Sequence, residues 1–299
     1  GDAVACRPIQ RPTDDTELHG NPGVTGRPSK EISQQMPQHS SPIARALLDA
    51  YDTRIPVDPP SENEPELTVA RAYELQLQQV DHWVSQGRVI KGHKVGLTSA
   101  AMQRQLGVDQ PDYGHLFGDM FHLESMPIDT AAFISPKVEP EIAFVLDRDL
   151  SGPGVTVVDA LRAVGYVLPA LEIIDSRIRD WRITLPDTIA DNASSGGVVL
   201  GSRPVALSGV DLRLTGCVLS SGGQAVTTGA GAAVLGSPIN ALVWLANTLG
   251  SLGVTLAAGS VILPGSLTTA VPVAGGSAVT ASFSGIGSVT ACFAADGEG

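Results

Sequence analysis

Two stretches in the first third of the chain repeat apolar residues every three or four positions, which is typical of amphipathic helices. In the first, "SSPIARALLDAY", Ser41 suits the N-cap and Pro42 suits the first helical position. Its apolar face consists of Ile43, Leu47, Leu48 and Tyr51. The second helix is predicted from Thr68 to about Gln86 and ends at Gly87. Its apolar stripe consists of Val69, Tyr73, Leu77, Val80 and Val84.

Beyond residue 90 the pattern changes to short β-branched runs separated by turns. "VIKGHKVGLT" and "YVLPALEIIDS" are predicted to form strands, and "CVLSSGGQAVTT" is predicted to form a hairpin that turns at Gly222 and Gly223. Two helices interrupt these runs, one at about Val158–Val164 and one that begins at Ser237 and Pro238. The apolar face of the later helix consists of Ile239, Leu242, Val243, Ala246 and Leu249. The pattern predicts an α+β protein, with a helical segment at 41–90 and a mixed-β domain at 91–295.

The first 40 residues differ from everything that follows. They contain no apolar periodicity but five prolines, Pro8, Pro12, Pro22, Pro28 and Pro37. Such a composition predicts a disordered leader, because it offers too little apolar surface to bury. Met36 is then a candidate for the natural start of the protein.

Charge and cysteine content narrow the classes of partner. The formal net charge of −12 opposes binding to nucleic acid or to an anionic membrane. We find no run of about 18 apolar residues and expect no membrane span. Cys6, Cys217 and Cys292 lack the CxxC spacing of a zinc site. Their odd number and wide spacing argue against a disulfide framework and fit a reducing compartment, so we expect a cytoplasmic protein.

The stretch "KVEPE" places two glutamates two residues apart at the start of an apolar strand. Side chains at alternate positions of a strand share a face, so Glu139 and Glu141 should project side by side. Pro140 lacks a ladder donor, which predicts an edge strand or a bulge. Two adjacent carboxylates repel one another unless a cation lies between them. The pair is therefore either solvated or part of a metal site.

A third carboxylate favours the metal site. Glu172 lies within "VLPALEIID", an apolar setting in which an unpartnered charge is costly. Together, Glu139, Glu141 and Glu172 offer the oxygen ligands that Mg²⁺ or Mn²⁺ prefers.

Other polar residues are open to two interpretations. Lys94 lies between Gly92 and Gly96 and is either a surface lysine or a cation close to a bound anion. Asp112 is either a turn residue beside a proline or a catalytic acid. The cluster "SRIRDW", with Arg177, is either an exposed set of ion pairs or an organiser of the acidic site. Asn192 and Ser194 resemble loop polar groups, and His93 and His115 resemble ordinary structural or surface residues.

These segments, in this order, resemble the 2-hydroxypenta-2,4-dienoate (2-oxopent-4-enoate) hydratases of the fumarylacetoacetate hydrolase superfamily. The resemblance rests on "GHKVGLTSAAMQRQLGVDQPDYGHLFGDM", "PKVEPEIAFVLDRDL", "VLPALEIIDSRIRDW", "DTIADNASSGGVVLG", "GSPINALVWLANTLGSLG" and "FSGIGSV". It extends over about residues 41–294. It implies a rolled mixed β-sheet with flanking helices and a divalent metal held by Glu139, Glu141 and Glu172. Pro264 stands where some relatives carry threonine, which removes one expected hydroxyl from the substrate pocket.

The resemblance also implies roles for the remaining candidates. Lys94 and Asp112 are expected to be catalytic, and Arg177 and Ser194 to bind substrate. We hypothesise that a cation bound to the 1-carboxylate and 2-oxygen of the dienoate favours ketonisation by protonation at C5 and addition of water at C4. The product would be 4-hydroxy-2-oxopentanoate in meta-cleavage of aromatic compounds. A homo-oligomer and a downstream aldolase partner are implied in the same way.

Three other functions remain open at this point. Decarboxylation of 4-oxalocrotonate needs the same stabilised enolate but a diacid substrate. Hydrolysis of an acylpyruvate C–C bond calls for a base-activated water, conventionally from a His–Glu pair, and none is evident near "KVEPE". A scaffold without metal that binds a neighbouring enzyme is the non-enzymatic alternative.

Overall fold

The structure, a computed structural model, describes residues 40–100, 103–104 and 107–295. The predicted leader, apart from Ser40, and the proposed start at Met36 lie outside the described residues. The α-helices of this part are α1 (Pro42–Thr53), α2 (Pro60–Asn63), α3 (Val69–Ser85), α4 (Val157–Ala163), α5 (Leu185–Ala190) and α6 (Pro238–Ser251).

The strands form two mixed sheets. The strands are β1 (Ile90–Gly96), β2 (Asp112–Phe117), β3 (Phe121–His122), β4 (Pro127–Ile128), β5 (Lys137–Leu146), β6 (Val164–Ile174), β7 (Ser195–Leu200), β8 (Gly216–Ser221), β9 (Gln224–Ala230), β10 (Val261–Leu263), β11 (Val271–Pro272), β12 (Ala278–Phe283) and β13 (Gly287–Phe293). The first sheet has the order β2-β1-β10-β5-β6-β7-β3, with β11 also paired to β5, and the second has the order β4-β13-β12-β8-β9. The predicted mixed α+β architecture is confirmed.

The N-terminal helices begin where the sequence predicts. The Ser41 hydroxyl accepts a hydrogen bond from the backbone N–H of Ile43, and the Thr68 hydroxyl accepts one from Arg71. Gly87 has a φ of 89°, which only glycine adopts at little cost, and it ends α3. Capping chemistry is local, and for this reason the sequence predicts these boundaries well.

The predicted apolar stripe of α3 is partly wrong. Leu77 and Val84 are 40% and 47% exposed, whereas Gln76 and Gln79 are fully buried. The side-chain amide of Gln76 donates to the carbonyls of Tyr113 and Ile189 at 3.0 and 2.9 Å. Glutamine is buried here because it satisfies backbone carbonyls that would otherwise lack a donor.

The main hydrophobic core lies between the two sheets and fixes which way β5 faces. Val138, Ile142 and Phe144 of β5 belong to this core together with Val279 and Phe283 of β12. Because side chains alternate along a strand, the intervening glutamates of β5 face the opposite side of the first sheet. The core therefore directs the acidic pair out of the apolar layer.

The expectation that Pro140 marks an edge strand is wrong. β5 pairs with β6 along one side and with both β10 and β11 along the other. The carbonyl of Pro140 accepts a hydrogen bond from Leu267, in the connection between β10 and β11. Proline is tolerated in this interior strand because it lies at the interruption between two short neighbours, where no ladder donor is required.

Helix α6 packs in the core. The segment Gly231–Ser251 is long and apolar enough for a membrane span by length and composition, although we expected none. Leu242, Leu245 and Leu249, however, are at most 2% exposed within the protein. Their burial in the core accounts for the apolar composition, so the segment is weak evidence for a membrane span.

The cysteines of the second sheet differ in state. Cys217 is a free thiol and is buried, whereas Cys292 is disulfide-bonded. The expected reduced state therefore holds for Cys217 and not for Cys292.

Candidate metal centre and cleft

Three glutamates converge on one face of the first sheet. Strands β5 and β6 are antiparallel, and their register places Glu139 directly opposite Glu172. Glu141 lies two residues along β5 and therefore on the same face. Oxygen atoms of the three carboxylates lie within 4.8 Å of one another. The spacing in the sequence predicts that Glu139 and Glu141 lie together, and the register of β5 and β6 brings Glu172 to them.

Three of these six oxygens have no hydrogen-bond donor among the described residues. Glu141 and Glu172 are at most 1% exposed, while Glu139 is partly exposed. Oε2 of Glu141 accepts a hydrogen bond from the backbone N–H of Gly265 at 2.8 Å. Within the described part of the chain, Oε1 of Glu141 and both oxygens of Glu172 accept no hydrogen bond. A buried carboxylate without donors is costly, so these atoms are suited to an additional ligand.

Burial raises the pKa of all three groups, and repulsion from neighbouring glutamates adds to it for Glu139 and Glu141. Burial is the larger cause for Glu139 and the charge of Glu172 adds to it, which raises the pKa of Glu139 to about 7. The same two causes raise the pKa of Glu141 well above its ordinary value. Burial also raises the pKa of Glu172, although Lys94 opposes the shift. The cluster is therefore short of positive charge.

The donor set fits a divalent cation. Three carboxylates with several unpartnered oxygens match the hard oxygen ligands that Mg²⁺ and Mn²⁺ take. A cation would also relieve the repulsion that raises the pKa values of the cluster.

Lys94 reaches this cluster from β1. Its Nζ lies 3.3 Å from Oε1 of Glu172 and donates to the carbonyl of Ala193 at 2.9 Å. Burial alone lowers the pKa of Lys94, but the carboxylates, Glu172 foremost, outweigh burial and raise the pKa above its ordinary value. In this arrangement the surrounding carboxylates hold Lys94 as a cation.

Asp112 lies beside Lys94 across the β1–β2 pair. It is 1% exposed, and its Oδ1 accepts no hydrogen bond from the described residues. Burial raises its pKa, although Lys94 and the backbone of Gly96 oppose the shift. A Cβ atom at Gly96 would overlap the Asp112 carboxylate. Glycine at this position therefore allows Asp112 to approach the lysine.

A strained turn forms the other side of the lysine site. Asn192, Ala193 and Ser194 have φ values of 49°, 51° and 54°, a conformation that costs each non-glycine residue energy. The side chain of Asn192 accepts from the N–H of His115 at 2.8 Å and donates to its carbonyl at 3.0 Å. Held in this way, the turn directs the carbonyl of Ala193 at Lys94 and places Ser194 in the wall of the cleft.

Arg177 stands behind this turn and does not line the cleft. Its side chain is 2% exposed and donates to Oδ1 of Asp191 at 2.6 Å, to the Ser195 carbonyl at 3.0 Å and to the Asp191 carbonyl at 3.2 Å. We expected Arg177 to contact the substrate. The geometry instead gives it contacts to both ends of the turn, because a buried guanidinium needs several acceptors.

The remainder of "SRIRDW" divides between surface and cleft. Arg179 and Arg182 pair with Asp58 on the surface. The indole of Trp181 lies in the cleft wall, with Nζ of Lys137 4.0 Å from the ring centroid. The interpretation as exposed ion pairs therefore holds for Arg179 and Arg182.

The cleft has a volume of about 260 Å³, and Glu139, Lys94, Asp112 and Ser194 all line it. Its lining also contains residues that sequence reasoning missed, namely Thr98, Lys137, Ile174, Ile183, Thr188, Ser266 and Thr268. Ser266 and Thr268 follow Pro264 in "LPGSLT" and supply hydroxyl groups in its vicinity. In the sequence, Gly265 marks this loop immediately before Ser266, and in the structure its backbone N–H donates a hydrogen bond to Glu141.

His93 and His115 face away from the cleft. Their rings are 4.9 Å apart across the β1–β2 pair, and both side chains are at most 7% exposed. Burial lowers the pKa of His93 to about 3 and of His115 to about 4. They are structural residues, as the sequence predicts.

Comparison with known proteins places this geometry in a family. Residues 96–294 match the fumarylacetoacetate (FAA) hydrolase C-terminal family. The chain is 47% identical over 253 residues to a 2-keto-4-pentenoate hydratase of Paraburkholderia xenovorans, covering 85% of this chain and 94% of that relative. It is 45% identical over 210 residues to a 2-hydroxypent-2,4-dienoate hydratase of Pseudomonas putida, covering 70% of this chain and 94% of the relative.

Solved structures agree with the sequence relatives. 4-Oxalocrotonate decarboxylase from Pseudomonas putida G7, complexed with magnesium and adipate, matches with a TM-score of 0.82 and 38% identity, covering 84% of this chain and 95% of that one. Fumarylpyruvate hydrolase from Pseudomonas aeruginosa shares the fold at 14% identity and a TM-score of 0.57, covering 70% of this chain and 91% of that one. The chain belongs to the fumarylacetoacetate hydrolase C-terminal family, within the group that contains the 2-keto-4-pentenoate hydratases.

Proposed function

We propose that this protein is a metal-dependent hydratase that converts 2-hydroxypenta-2,4-dienoate to 4-hydroxy-2-oxopentanoate. The carrying observation is the cluster of three glutamates with unpartnered oxygens beside a cleft. The high identity to named hydratases supports the choice of substrate class.

Glu139, Glu141 and Glu172 are the proposed ligands of Mg²⁺ or Mn²⁺. When bound, the cation would supply positive charge that polarises the 2-oxygen of a 2-oxo acid and stabilises negative charge there. The magnesium in the related decarboxylase structure supports Mg²⁺ as the first ion to test. Gly265 supports the site by fixing one oxygen of Glu141.

Lys94 and Asp112 are the proposed catalytic pair. Lys94 is held between Glu172 and the Ala193 carbonyl, so its ammonium group is fixed at the cleft wall as a cation that balances the negative charge of the substrate. Asp112 has an unpartnered buried oxygen next to this lysine, and it orients either the lysine or the attacking water. The two groups divide the work, since one provides charge and the other a hydrogen-bond acceptor.

The remaining cleft wall is suited to an unsaturated carbon chain. Ile174, Ile183 and Trp181 give an apolar surface that excludes water from the diene, while Ser194 offers a hydroxyl 3.3 Å from that of Thr188. Exclusion of water from around the diene strengthens the electrostatic interactions between the substrate and the charged groups of the site. We propose Ser194 as a substrate contact and Arg177 as the residue that holds Ser194 in place.

The wider setting follows from the same assignment. We propose that the enzyme is cytoplasmic, assembles as a homo-oligomer and acts in meta-cleavage of aromatic compounds. An aldolase that splits its 4-hydroxy-2-oxo acid product is the expected downstream partner.

Decarboxylation of 4-oxalocrotonate is the second candidate. The TM-score of 0.82 to a decarboxylase favours it, and Lys137 supplies a second cation in the cleft for a distal carboxylate. Acylpyruvate hydrolysis receives less support, because no histidine is among the described residues that line the cleft.

The test is a dienol absorbance assay with Mg²⁺, with EDTA, and with EDTA followed by excess Mg²⁺. We expect loss of the dienol signal only with the metal, and 4-hydroxy-2-oxopentanoate as the product. Release of CO₂ from 4-oxalocrotonate without hydration of the dienoate would select the decarboxylase. Turnover that is unaffected by EDTA would overturn the metal-dependent proposal.

A further inference from the structure

The cleft extends along β5 and β6 in one direction from the glutamates. Two residues from Glu139 towards the start of β5, Lys137 lies opposite Ile174 in the strand register, and both residues line the cleft. Two residues in the other direction, Glu141 lies opposite Ala170, and both of these are fully buried and outside the lining. A molecule that is held at the glutamates by one end therefore has room for its other end towards Lys137 and Ile174.

The indole of Trp181 lies across this end of the cleft. Its N–H donates a hydrogen bond to the carbonyl of Ser135 at 3.1 Å. Ser135 precedes Lys137 by two residues and is therefore farther along the chain from the glutamates. The Nζ atom of Lys137 lies 4.0 Å from the centroid of the indole ring. The indole is thus anchored at the end of β5 that is remote from the proposed cation site.

The backbone that carries this indole is strained and tethered. Asp180 and Trp181 have φ values of 57° and 55°, a conformation that costs each non-glycine residue free energy. On either side, Arg179 and Arg182 pair with Asp58 at 3.1 and 3.3 Å, which attaches the turn to the segment between α1 and α2. Strained residues held by their surroundings are concentrated at ligand sites. The strain therefore directs attention to the contact that the indole makes in the cleft.

The distance from the glutamates to this end suits a short carbon chain. Alternate residues of a strand are about 6.7 Å apart, which separates the Glu139–Glu172 pair from the Lys137–Ile174 pair. Three bonds of an extended chain, such as those from C2 to C5 of a dienoate, span about 3.8 Å. An acid bound at the glutamates through C1 and C2 therefore brings C5 close to Lys137 and Ile174, and a longer chain meets the indole.

We propose that Trp181 is a specificity-determining residue, which limits the length of the alkyl substituent that the substrate carries at C5. The inference rests on the proposed function, because it requires the carboxylate end of the acid to bind at the glutamates. In a groove with an open end, each further buried methylene group tightens binding about fourfold. With the indole in place, further carbons displace a ring that its hydrogen bond and its backbone hold, so they weaken binding.

Isothermal titration calorimetry of the full chain with saturating Mg²⁺ tests this inference without turnover. The probes are 2-oxopentanoate and 2-oxoheptanoate, which have no carbon–carbon double bond to hydrate and differ only in chain length. We expect wild type to bind the longer acid at least about tenfold more weakly than the shorter one. Trp181→Ala should bind the longer acid at least as tightly as the shorter one. Trp181→Phe keeps a smaller ring without the N–H donor and should give an intermediate ratio.

Two control variants separate chain length from other effects. Trp244→Phe makes a matched change at a tryptophan of α6 that does not line the cleft, and it should keep the wild-type ratio of affinities. Glu139→Gln should weaken both acids and also keep their ratio, because it acts at the opposite end of the cleft.

The inference is overturned if wild type binds 2-oxoheptanoate more tightly than 2-oxopentanoate, or if Trp181→Ala and Trp181→Phe both keep the wild-type ratio. If Trp181→Ala does not fold, the ratio in Trp181→Phe decides alone. These titrations are independent of the dienol assay. An unchanged ratio in a protein that hydrates the dienoate removes the inference alone, whereas a ratio that depends on Trp181 in a protein without hydratase activity removes the proposed function alone.

Discussion

Two buried charged clusters lie on either side of the turn at residues 191–195, and they are built in opposite ways. Behind the turn, Arg177 and Asp191 form a balanced pair, with further hydrogen bonds to the Ser195 carbonyl and from the Ser176 hydroxyl. In front of it, three glutamates and Asp112 face one lysine, and several oxygens lack donors.

The difference in charge balance distinguishes a cluster that stabilises the fold from a cluster that is suited to binding a ligand. A buried ion pair with satisfied hydrogen bonds stabilises one conformation, because separating the two side chains leaves each of them as a buried charge without a partner. A buried cluster with excess charge and unpartnered oxygens is costly by itself and is retained where a ligand completes it. The turn connects the two, because Arg177 holds its ends and Lys94 binds its middle carbonyl.

The largest expected effect tests the unbalanced cluster. Glu139→Gln should lower dienoate turnover about a thousandfold, equivalent to about 4 kcal/mol, because the cation site loses a charged ligand. The folded state should persist, since the change also removes repulsion from Glu172. Steady-state kinetics with saturating Mg²⁺ measures the loss, and Glu66→Gln, an exposed acid, serves as the control. Equal turnover in the two variants would contradict the assignment.

The second prediction tests the balanced pair. Arg177→Met should destabilise the protein by about 3 kcal/mol, because Asp191 is left buried without its cation. Arg179→Met removes a surface arginine of the same segment, paired with Asp58, and should cost less than about 1 kcal/mol. Urea unfolding at pH 7 gives both free energies. If both variants lose the same stability, the distinction between the clusters fails.

The third prediction concerns how much a bound cation at the three glutamates stabilises the folded protein. Mg²⁺ at about a hundred times its dissociation constant should raise the free energy of unfolding by about 2.7 kcal/mol, and EDTA should reverse this. The gain should vanish in Glu172→Gln, whose carboxylate lies opposite Glu139. A Mg²⁺-dependent gain that survives in this variant would place the ion elsewhere.

The smallest effect concerns a third buried pair, which carries no charge. Burial lowers the pKa of His93 to about 3, so the unfolded chain binds a proton below pH 6.5 that the folded chain does not. Stability from neutral His93 is therefore present above pH 6.5 and declines as the pH falls. Between pH 7 and 5.5, wild type should lose about 1 kcal/mol relative to His93→Gln.

Urea titrations of both proteins at each pH measure this difference. Because the glutamates are common to both, their opposite pH dependence cancels. A constant difference across this range would show that His93 is protonated in the folded protein.

The sequence by itself determined what depends on neighbours along the chain. The caps at Ser41 and Thr68, the hairpin turn at Gly222 and Gly223, and the shared face of Glu139 and Glu141 follow from local backbone chemistry and side-chain alternation. The proximity of Glu172 to this pair was expected from its apolar setting and the family resemblance.

The tertiary structure decided what depends on distant contacts. Strand register set Glu172 opposite Glu139, and interruption of the neighbouring strands made an interior Pro140 acceptable. The pKa of Lys94 is raised because three strands, β2, β5 and β6, bring carboxylates to it. Arg177 lies behind the cleft because its acceptors lie in the turn. The burial of a side chain and the charges around it depend on segments that are distant in the sequence, so they are not evident from the sequence pattern alone.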